Sequence, residues 1–403
     1  MPKLDFILIK LILNMKKIII ISIITYLLFT INSSGANQNL NETLNKKVLK
    51  IGVLLPLTGE FKDIGISFLN SIQLALHDIK NENIIIYPKD SKGNSDDTFK
   101  AAKELDELGI KIVIGPVFNE NLKRLGEINN ITFISLSNKT KDIPKNTVAF
   151  GINIDSQIIT LKKYLDKIEV SKTLLLSPKT QFINQTGIIE DSNLNFNRVF
   201  FYNTSPKKIT GEIEKLTKYN ERKKDLERRI KILEKSDLYK DKKELKKLEQ
   251  KHTLGEVNFD SVVVVDFGER LKSVLTSFMF SDISKEKVTF FTLNQWFDES
   301  LFGEDAIQDL HFPAIDFKNL KKFEKKYVKT YKEKPNKVSI LAYDALGLIY
   351  YCWKNNDSKF KTEHLYNKKG FKGLHGNFII KDNLSQQRLK IYKVSKKKFI
   401  EVY

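Results

Sequence analysis

Apolar residues in this chain form short runs that alternate with segments whose apolar residues recur every three or four positions. The first run, at 48–55, predicts a buried strand that ends at a Pro-Leu-Thr-Gly break, and the apolar positions between 69 and 79 predict one face of a helix. Strands and helices that alternate at this spacing form βαβ units, so the pattern predicts a parallel sheet. Further strands are predicted at 84–87, 111–114 and 131–136, with helices at 95–108 and from Asn119 onward.

A second series of the same kind follows. Helices are predicted at 157–168 and near Gln185, with strands at 173–176, 199–202, 260–267 and 288–293. Two α/β lobes in tandem are therefore expected.

The segment 217–255 interrupts this series with a dense run of Lys, Arg and Glu. Its leucine and isoleucine residues recur at heptad-like intervals on both sides of Ser236-Asp237, which predicts a charged helical hairpin. The alternative is that the hairpin is a solvated surface element without a partner, because charged helical faces commonly meet only water. The apolar positions are Leu226, Ile230, Leu233, Leu238, Leu245 and Leu248.

The chain has 403 residues, of which 41% are hydrophobic, and this is enough to bury a sizeable core in two or three domain-sized units. Its longest apolar stretch, at 18–31, follows two lysines and precedes small and polar residues at 32–36. This arrangement predicts a signal peptide over residues 1–36, cleaved close to Ala36, and a periplasmic protein. A retained membrane anchor is the alternative, and Met15 is an alternative start to Met1 because Met-Lys-Lys opens a compact signal.

Charge and cysteine content exclude other classes. The net charge of +19 is spread along the whole chain without an aromatic-rich basic motif, so no nucleic-acid partner is expected. The single cysteine, Cys352, lies in an apolar run, which predicts core packing and excludes an intrachain disulfide. Cys352 is also too far from the signal to carry a lipid.

No enzyme motif is present. The sequence lacks a Gly-x-Ser-x-Gly elbow, a His-Glu-x-x-His pair, a P-loop and a Gly-x-Gly-x-x-Gly turn. The loop at 90–97 has some calcium-loop character, but Ala101 stands where the bidentate Glu is needed. We therefore expect no catalytic residue, no metal site and no cofactor.

The segment 51–59, Ile-Gly-Val-Leu-Leu-Pro-Leu-Thr-Gly, resembles the opening of the type I periplasmic binding proteins, the leucine-binding-protein-like family. Further similar motifs are Asp90 with Gly93-Asn94, Ile-Gly-Pro-Val at 114–117, Ala-Tyr-Asp-Ala at 342–345, and Phe371, Gly373, Gly376 and Phe378. The resemblance implies two Rossmann-like lobes joined by three crossover strands. It places lobe 1 at 47–151 plus 313–369, lobe 2 at 152–312 plus 370–403, and the hairpin at 217–255 as an insertion in lobe 2.

A narrower resemblance concerns the penicillin-binding-protein activators of alphaproteobacteria. It rests on Ser-Leu-Ser-Asn at 135–138, the charged hairpin, and Thr-Leu-Gly-Glu at 253–256 leading into 259–263. This branch is thought to stimulate peptidoglycan synthases. The chain departs from it by lacking a lipid-attachment cysteine, so outer-membrane anchoring is not expected.

Ligands of open α/β sheets bind beyond the carboxyl ends of the strands, where backbone amides and helix N-termini face the cleft. This rule selects 117–119, 137–139, 177–181, 266–270 and 294–296. The candidate ligand-binding residues are Phe118, Asn119, Ser137, Asn138, Lys139, Lys179, Thr180, Asp266, Arg270, Asn294 and Trp296.

Two kinds of ligand fit these residues. Ser137 and Asn138 could hold an amino-acid carboxylate while Asp266 or Glu269 pairs with its ammonium group. Lys139, Lys179 and Arg270, if they face inward, would favour an anion or a cell-wall fragment instead. The alternatives are ordinary turn and cap usage for the short polar residues and solvated loop charge for the basic ones.

The function expected from sequence is therefore that of a non-enzymatic periplasmic protein that activates or localises a peptidoglycan synthase. The alternative is the substrate-binding protein of an ABC importer, which delivers an amino acid or a similar small solute to its permease. An importer needs a paired acid and hydroxyl set in the cleft, whereas an activator needs a surface element such as the hairpin.

Overall fold

A computed structural model of the chain describes residues 47–179, 196, 198–293, 299–396 and 398–403. The signal peptide predicted at 1–36 and the helix predicted near Gln185 lie outside the described residues. Within the described part of the chain, no helix is long and apolar enough to cross a membrane. Residues Leu49–Tyr403 form one compact unit.

The described residues form fifteen strands and nine α-helices. The helices are α1 (Lys62–Ile79), α2 (Ser95–Glu107), α3 (Ile154–Lys167), α4 (Pro206–Leu216), α5 (Tyr219–Leu233), α6 (Tyr239–Leu248), α7 (Gly268–Phe280), α8 (Phe317–Tyr331) and α9 (Ile340–Lys354). The strands are β1 (Leu49–Leu55), β2 (Ile84–Asp90), β3 (Ile112–Ile114), β4 (Thr132–Ser135), β5 (Thr147–Ala149), β6 (Thr173–Pro178), β7 (Arg198–Tyr202), β8 (Ser261–Val264), β9 (Thr289–Thr292), β10 (His311–Ala314), β11 (Phe371–Lys372), β12 (Asn377–Lys381), β13 (Leu384–Arg388), β14 (Lys390–Ser395) and β15 (Lys398–Glu401).

The strands form two separate sheets, one in each lobe. The first sheet has the order β11-β12-β13-β5-β4-β3-β1-β2, and the second has the order β15-β14-β10-β9-β8-β6-β7. Strands β1 to β5 pair in parallel, and so do β6 to β10, as expected for βαβ units. The predicted α/β class with two Rossmann-like lobes is confirmed.

Two local predictions were wrong. The helix expected from Asn119 consists only of two short 3₁₀ turns, Asn119–Leu122 and Leu125–Glu127. Strand β5 was not predicted, because its three residues are too few to show a period. Helix α2, in contrast, begins as expected at Ser95, where the Asn94 side chain accepts a hydrogen bond from the backbone N–H of Asp97.

The chain passes between the lobes three times, but the third passage differs from the sequence-based division. The first two lie between β5 and α3 and between β10 and α8, close to the expected 151/152 and 312/313 boundaries. The third lies at Leu389, between β13 of the first sheet and β14 of the second, and not at Gly370. Residues 371–388 therefore belong to lobe 1. An alternating strand pattern does not reveal which sheet a strand joins, and here β13 pairs in parallel with β5.

Buried polar side chains fasten the first and third passages to each other. The Asn153 amide donates to the Ser385 carbonyl at 2.7 Å and also caps α3 by accepting from the Ser156 N–H. The Ser156 hydroxyl donates to Gln387 Oε1 at 2.8 Å. Gln387 Nε2 in turn donates to the carbonyls of Phe150 and Gly151 at 3.3 Å. All these groups are buried, so breaking one bond would leave an unsatisfied partner.

Each lobe has its own apolar core. In lobe 1 the core includes Phe68, Phe150 and Tyr327, all at most 1% exposed, together with Cys352. The structure therefore places Cys352 in the core, where burial raises the pKa of its thiol to about 12 and its Sγ lies 3.4 Å from the His364 carbonyl. In lobe 2 the largest core cluster lies between α4, α7 and the sheet and includes Phe278 and Phe312.

The inserted hairpin consists of α5 and α6. Leu226, Leu233 and Leu248 are each at most 5% exposed and form a small cluster of their own that holds the two helices together. At its base Arg222 is buried, and its guanidinium donates to the Thr217 and Ser281 carbonyls and to the Thr253 hydroxyl. Thr253 donates to the Asp282 carboxylate. The hairpin is thus anchored to the end of α7 at its base.

The topology places this hairpin far from the carboxyl edge of the second sheet. Helix α4 starts beyond the carboxyl end of β7 and runs back, so the hairpin begins at the amino edge and returns to the amino end of β8. We call the amino edge of lobe 2, with the hairpin and the end of α7, the pole.

The titration of His311 gives a test of packing in lobe 2. His311 lies between the rings of Phe291 and Tyr164, and burial together with the charge of Lys393 lowers the pKa of its imidazole to about 4, against the opposing effect of Asp309. An unfolded histidine titrates near pH 6.5, so between pH 6.5 and 4 the unfolded chain binds more protons than the folded one. The stability contributed by the neutral imidazole is complete above about pH 6.5 and falls by about 3 kcal/mol as the pH drops towards 4.

We expect the variant His311→Phe, which keeps the ring contacts, to reduce this loss when the free energy of unfolding is measured by urea denaturation between pH 7 and 4. His77→Gln is the control, because the His77 side chain is 78% exposed. Equal pH profiles for His311→Phe and the parent would contradict the assignment.

Candidate functional site

A pocket of about 240 Å³ opens at the carboxyl edge of the first sheet. Its lining is mostly apolar, and four of the residues predicted from sequence are in it. The lining residues are Phe68, Val117, Phe118, Asn119, Glu120, Leu136, Ser137, Asn138, Gly151, Ile152, Val338 and Leu341. The volume is somewhat below the range of about 300–1,000 Å³ that is usual for drug-sized ligands, so the pocket suits only a small solute.

The hydroxyl of Ser137 in this pocket already has its partners. Its Oγ donates to the side-chain oxygen of Asn119 and accepts a hydrogen bond from the Lys139 N–H at 3.1 Å. Ser137 is only 2% exposed. Ser137 therefore shapes the turn after β4, and holding a ligand carboxylate would require breaking one of these bonds.

The first passage between the lobes, at Gly151 and Ile152, forms part of the pocket wall. The Gly151 N–H donates to the Ser137 carbonyl at 2.9 Å, and a Cβ on Gly151 would lie 2.4 Å from that oxygen. Only glycine permits this approach, because a contact below 3.0 Å would force the backbone apart. The turn that carries Ser137 and Asn138 is thus fixed to the segment that joins the lobes.

Of the other predicted residues of lobe 1, Phe118, Asn119 and Asn138 line the pocket, and Lys139 follows them in the chain without lining it. Asn119 and Asn138 are exposed, whereas Phe118 and Lys139 are half-buried. The Phe118 ring packs against Phe61 with 4.6 Å between centroids, which joins the loop after β1 to the loop after β3. Asn119, Glu120 and Asn138 are therefore the exposed polar side chains that a solute in this pocket would meet.

In lobe 2 the carboxylate of Asp266 already forms hydrogen bonds with other residues of the protein. Its side chain is 1% exposed and accepts hydrogen bonds from the Tyr202 hydroxyl at 2.5 Å and from Arg270 Nε at 3.0 and 3.1 Å. Burial raises the pKa of Tyr202, and the bond to Asp266 raises it further, so this hydroxyl remains protonated and donates. Asp266 is a poor candidate for pairing with a ligand ammonium group.

Arg270 is the group that Asp266 positions. Its side chain is 44% exposed, its guanidinium lies over the exposed Phe267 ring, and among the described residues only its Nε has a hydrogen-bond partner. Its two terminal nitrogens can therefore bind a carboxylate in a bidentate manner. Lys179 is exposed at the end of β6. Thr180, Asn294 and Trp296 lie outside the described residues.

The described residues contain no group of three or more His, Cys, Asp or Glu side chains that could hold a metal ion. The loop at 90–97 has a different role: Asp90 accepts from the backbone N–H groups of Leu57 and Lys92 at 2.8 and 2.9 Å. Although partial burial acts to raise it, the hydrogen bonds from Thr58, Lys92 and Leu57 hold the pKa of Asp90 below its usual value. Asp90 therefore fastens the loop after β1.

A second pocket, which the sequence did not predict, lies at the pole of lobe 2. It has a volume of about 360 Å³, and its lining includes Leu275, Ile283 and Phe290 with the acidic residues Asp282, Glu286 and Asp305. Met279 at its rim is 50% exposed, and the neighbouring Phe280 is 68% exposed. Asp282 belongs both to this pocket and to the anchor of the hairpin. Its residues are scattered over 275–308, so no single motif indicated it.

No family model matches the sequence, and no curated protein matches it. Solved structures do match. The C-domain of LpoA (YraM) from Haemophilus influenzae, described as a regulator of PBP1A, is 15% identical with a TM-score of 0.61, over 88% of this chain and 100% of that domain. Full-length LpoA from the same organism is 16% identical with a TM-score of 0.62, over 91% of this chain and 61% of that protein.

Solute-binding proteins share the same architecture. An ABC-transporter solute-binding protein from Rhodopseudomonas palustris, in complex with 3,4-dihydroxybenzoic acid, is 15% identical with a TM-score of 0.55, over 88% of this chain and 96% of that one. A leucine-binding protein from Thermotoga maritima is 15% identical with a TM-score of 0.52, over 88% and 98%. These similarities show that the fold is that of the type I periplasmic binding proteins, as predicted.

The contacts of Asp266 predict that this residue is needed for stability without any ligand. We expect Asp266→Ala to lower the free energy of unfolding by about 3 kcal/mol, because it strands the buried Tyr202 hydroxyl and removes the partner of Arg270. Thermal and urea unfolding of the unliganded protein measure this. The control is Glu269→Ala, since Glu269 is 79% exposed and lies 3.7 Å from Lys272. An unchanged melting temperature for Asp266→Ala would mean that its carboxylate is available to a ligand.

Proposed function

We propose that this chain is a periplasmic, non-enzymatic regulator that binds a peptidoglycan synthase of the penicillin-binding-protein class and activates or localises it. On this proposal the protein is exported by a signal peptide cleaved close to Ala36 and carries no lipid. The binding-protein fold acts as a scaffold, and the partner contacts the pole of lobe 2.

One observation carries the proposal. Of the groups that a zwitterion receptor would offer, the Ser137 hydroxyl and the Asp266 carboxylate are used inside the protein, and the alternative acid, Glu269, is exposed and lies 3.7 Å from Lys272. The surface available to a partner protein lies elsewhere. It comprises the hairpin and the neighbouring pocket, which Met279 lines, together with the exposed Phe280 next to Met279. The fold shared with the C-domain of LpoA, a regulator of PBP1A, supports the same choice.

The anchoring of the hairpin dictates how to remove it. A cut that deleted Arg222 or Thr253 would disturb the end of α7, whereas Leu226 and Leu248 belong to one small cluster and lie close together. Replacing residues 227–247 with a short Gly/Ser link therefore keeps the anchor. Loop length alone changes closure entropy slowly, so lobe 2 should remain folded.

We predict that this shortened protein melts within a few degrees of the parent but loses most of its capture of penicillin-binding proteins. The measurement is retention of synthases labelled with fluorescent penicillin, from detergent-solubilised envelope, on the immobilised protein. The control exchanges the hairpin's Arg229–Glu244 ion pair, by Arg229→Glu with Glu244→Arg, which conserves net charge. If the shortened protein retains synthase as well as the parent does, the hairpin is a solvated decoration and the pole pocket becomes the contact to test.

The second candidate function is a solute receptor for an ABC permease. It is supported by the lobe 1 pocket and by the free terminal nitrogens of Arg270 above Phe267, a pair that suits a small carboxylate. A receptor gains about 2.7 kcal/mol of stability at a ligand concentration one hundred times its Kd.

We expect no such gain in a melting screen of free amino acids and aromatic carboxylates. A shift that appears with one ligand and disappears in Arg270→Gln would instead establish the receptor function. Lys272→Gln is the matched control, because Lys272 lies on the same helix and pairs with Glu304 at 2.7 Å.

A further inference from the structure

The end of the hairpin exposes apolar side chains that do not contribute to its own packing. Ile232 is 55% exposed, Leu238 is 60% exposed and Tyr239 is 84% exposed. They flank the turn between α5 and α6, whereas the neighbouring Leu233 is 2% exposed and closes the seam. We call residues 231–240 the tip. Three large exposed apolar side chains at one end of a small element form a patch that water alone does not explain.

Unpaired positive charge surrounds this patch. Lys231, Lys235, Lys240 and Lys243 are all exposed, and none forms an ion pair with another residue of the described ranges. The segment 217–255 as a whole has 14 Lys or Arg residues against 8 Asp or Glu. Within residues 231–240 the three lysines outnumber the two acidic residues, Glu234 and Asp237, so the tip combines an apolar end with a rim of net positive charge.

The geometry of the hairpin presents this end outward. Its fixed point is Arg222, and the helix continues for 11 residues to Leu233, which at 1.5 Å per residue places the tip about 16 Å beyond the anchor. Neither pocket described above includes a residue of the tip. A projecting apolar end without a groove is suited to insert into a soft surface rather than to receive a ligand.

We propose that the tip is a docking element for an anionic phospholipid surface, with Ile232, Leu238 and Tyr239 entering the interface and the surrounding lysines contacting the headgroups. The tyrosine ring is amphipathic and favours the membrane–water interface. Lysines near such a surface are attracted by its negative potential. Binding at a membrane interface uses both the apolar side chains and the positive charge of the tip. The proposed contact involves neither the cleft nor the synthase.

The test uses a fluorescent label on the tip of the full chain. The native thiol, Cys352, is 1% exposed and its pKa is raised to about 12, so it reacts little with thiol reagents. Asp237→Cys, at a fully exposed position of the tip, can therefore carry an environment-sensitive dye alone. The reference is Glu107→Cys, an exposed acidic residue at the end of α2 in lobe 1.

With vesicles of phosphatidylcholine containing about a third phosphatidylglycerol, we expect the Asp237→Cys dye to shift to the blue and the Glu107→Cys dye to remain unchanged. Pure phosphatidylcholine vesicles should have no effect on either dye. Raising the salt concentration to about 1 M should weaken the response, because it shortens the screening length.

Substitutions separate the apolar and the charged contributions in the Asp237→Cys protein. Leu238→Ser should lower vesicle affinity about tenfold, whereas Leu108→Ser, which alters a 50% exposed leucine of lobe 1, should not change it. Lys231→Gln with Lys235→Gln should lower it about 25-fold, at about fivefold for each lysine. The same change at Lys321 and Lys322 of α8 is the control.

Three results would overturn the proposal. The first is that the tip dye does not respond although the protein sediments with anionic vesicles, because the lipid contact then lies elsewhere. Leu238→Ser and the lysine pair leave the dye response intact. The tip variants lose synthase capture from solubilised envelope but bind vesicles normally, which makes the tip a protein contact. Since the vesicles contain no protein, failure here leaves the proposed function untouched.

Discussion

The polar bonds that join the first and third passages between the lobes are the constraint on which the rest of the molecule depends. Asn153 and Gln387 connect backbone groups of chain segments more than 230 positions apart, and both side chains are buried. Buried amides have a definite geometry only when each donor and acceptor is satisfied. These bonds therefore fix where β13 ends, where α3 begins and where the Gly151 turn supports the lobe 1 pocket.

The same bonds limit what the cleft can bind. Gly151 holds the turn of Ser137, and Ser137 in turn orders Asn119 and Lys139, so the polar groups of lobe 1 are committed to structure before any ligand arrives. In lobe 2, Asp266 is committed to Tyr202 and Arg270. A receptor that depends on buried, preorganised groups has few left here. The exposed polar groups that remain at the cleft include Glu120, Asn138, Lys179 and Arg270, and the others are the side chains of the pole.

The sequence predicted the architecture well because strand and helix periods are local properties. It predicted most strands within about two residues, the hairpin, and the core position of Cys352. It failed where partners are distant in sequence. The third passage was placed at Gly370 because nothing local shows that β13 pairs with β5, and nothing local shows that Asp266 bonds to Tyr202, which lies 64 positions away. Leu238 shares the heptad-like spacing of the hairpin, although Leu233 and Leu248 close the seam and Leu238 is 60% exposed.

The position of the hairpin makes it a structurally separate element of lobe 2. The hairpin enters and leaves at the amino edge of the second sheet, so its two ends are already close. The entropy cost of closing this insertion rises only slowly with its length. Its own cluster seals the helices, and among the described residues the side-chain hydrogen bonds that connect it to the end of α7 run through Arg222 and Thr253. Three acceptors hold the guanidinium of Arg222 in place, so a lysine, whose ammonium group is a single point charge, cannot replace it without loss. The bonds of Arg222 and Thr253 set the orientation of the hairpin but contribute little to the stability of the two lobes. Charged and apolar side chains at the tip are therefore compatible with the fold.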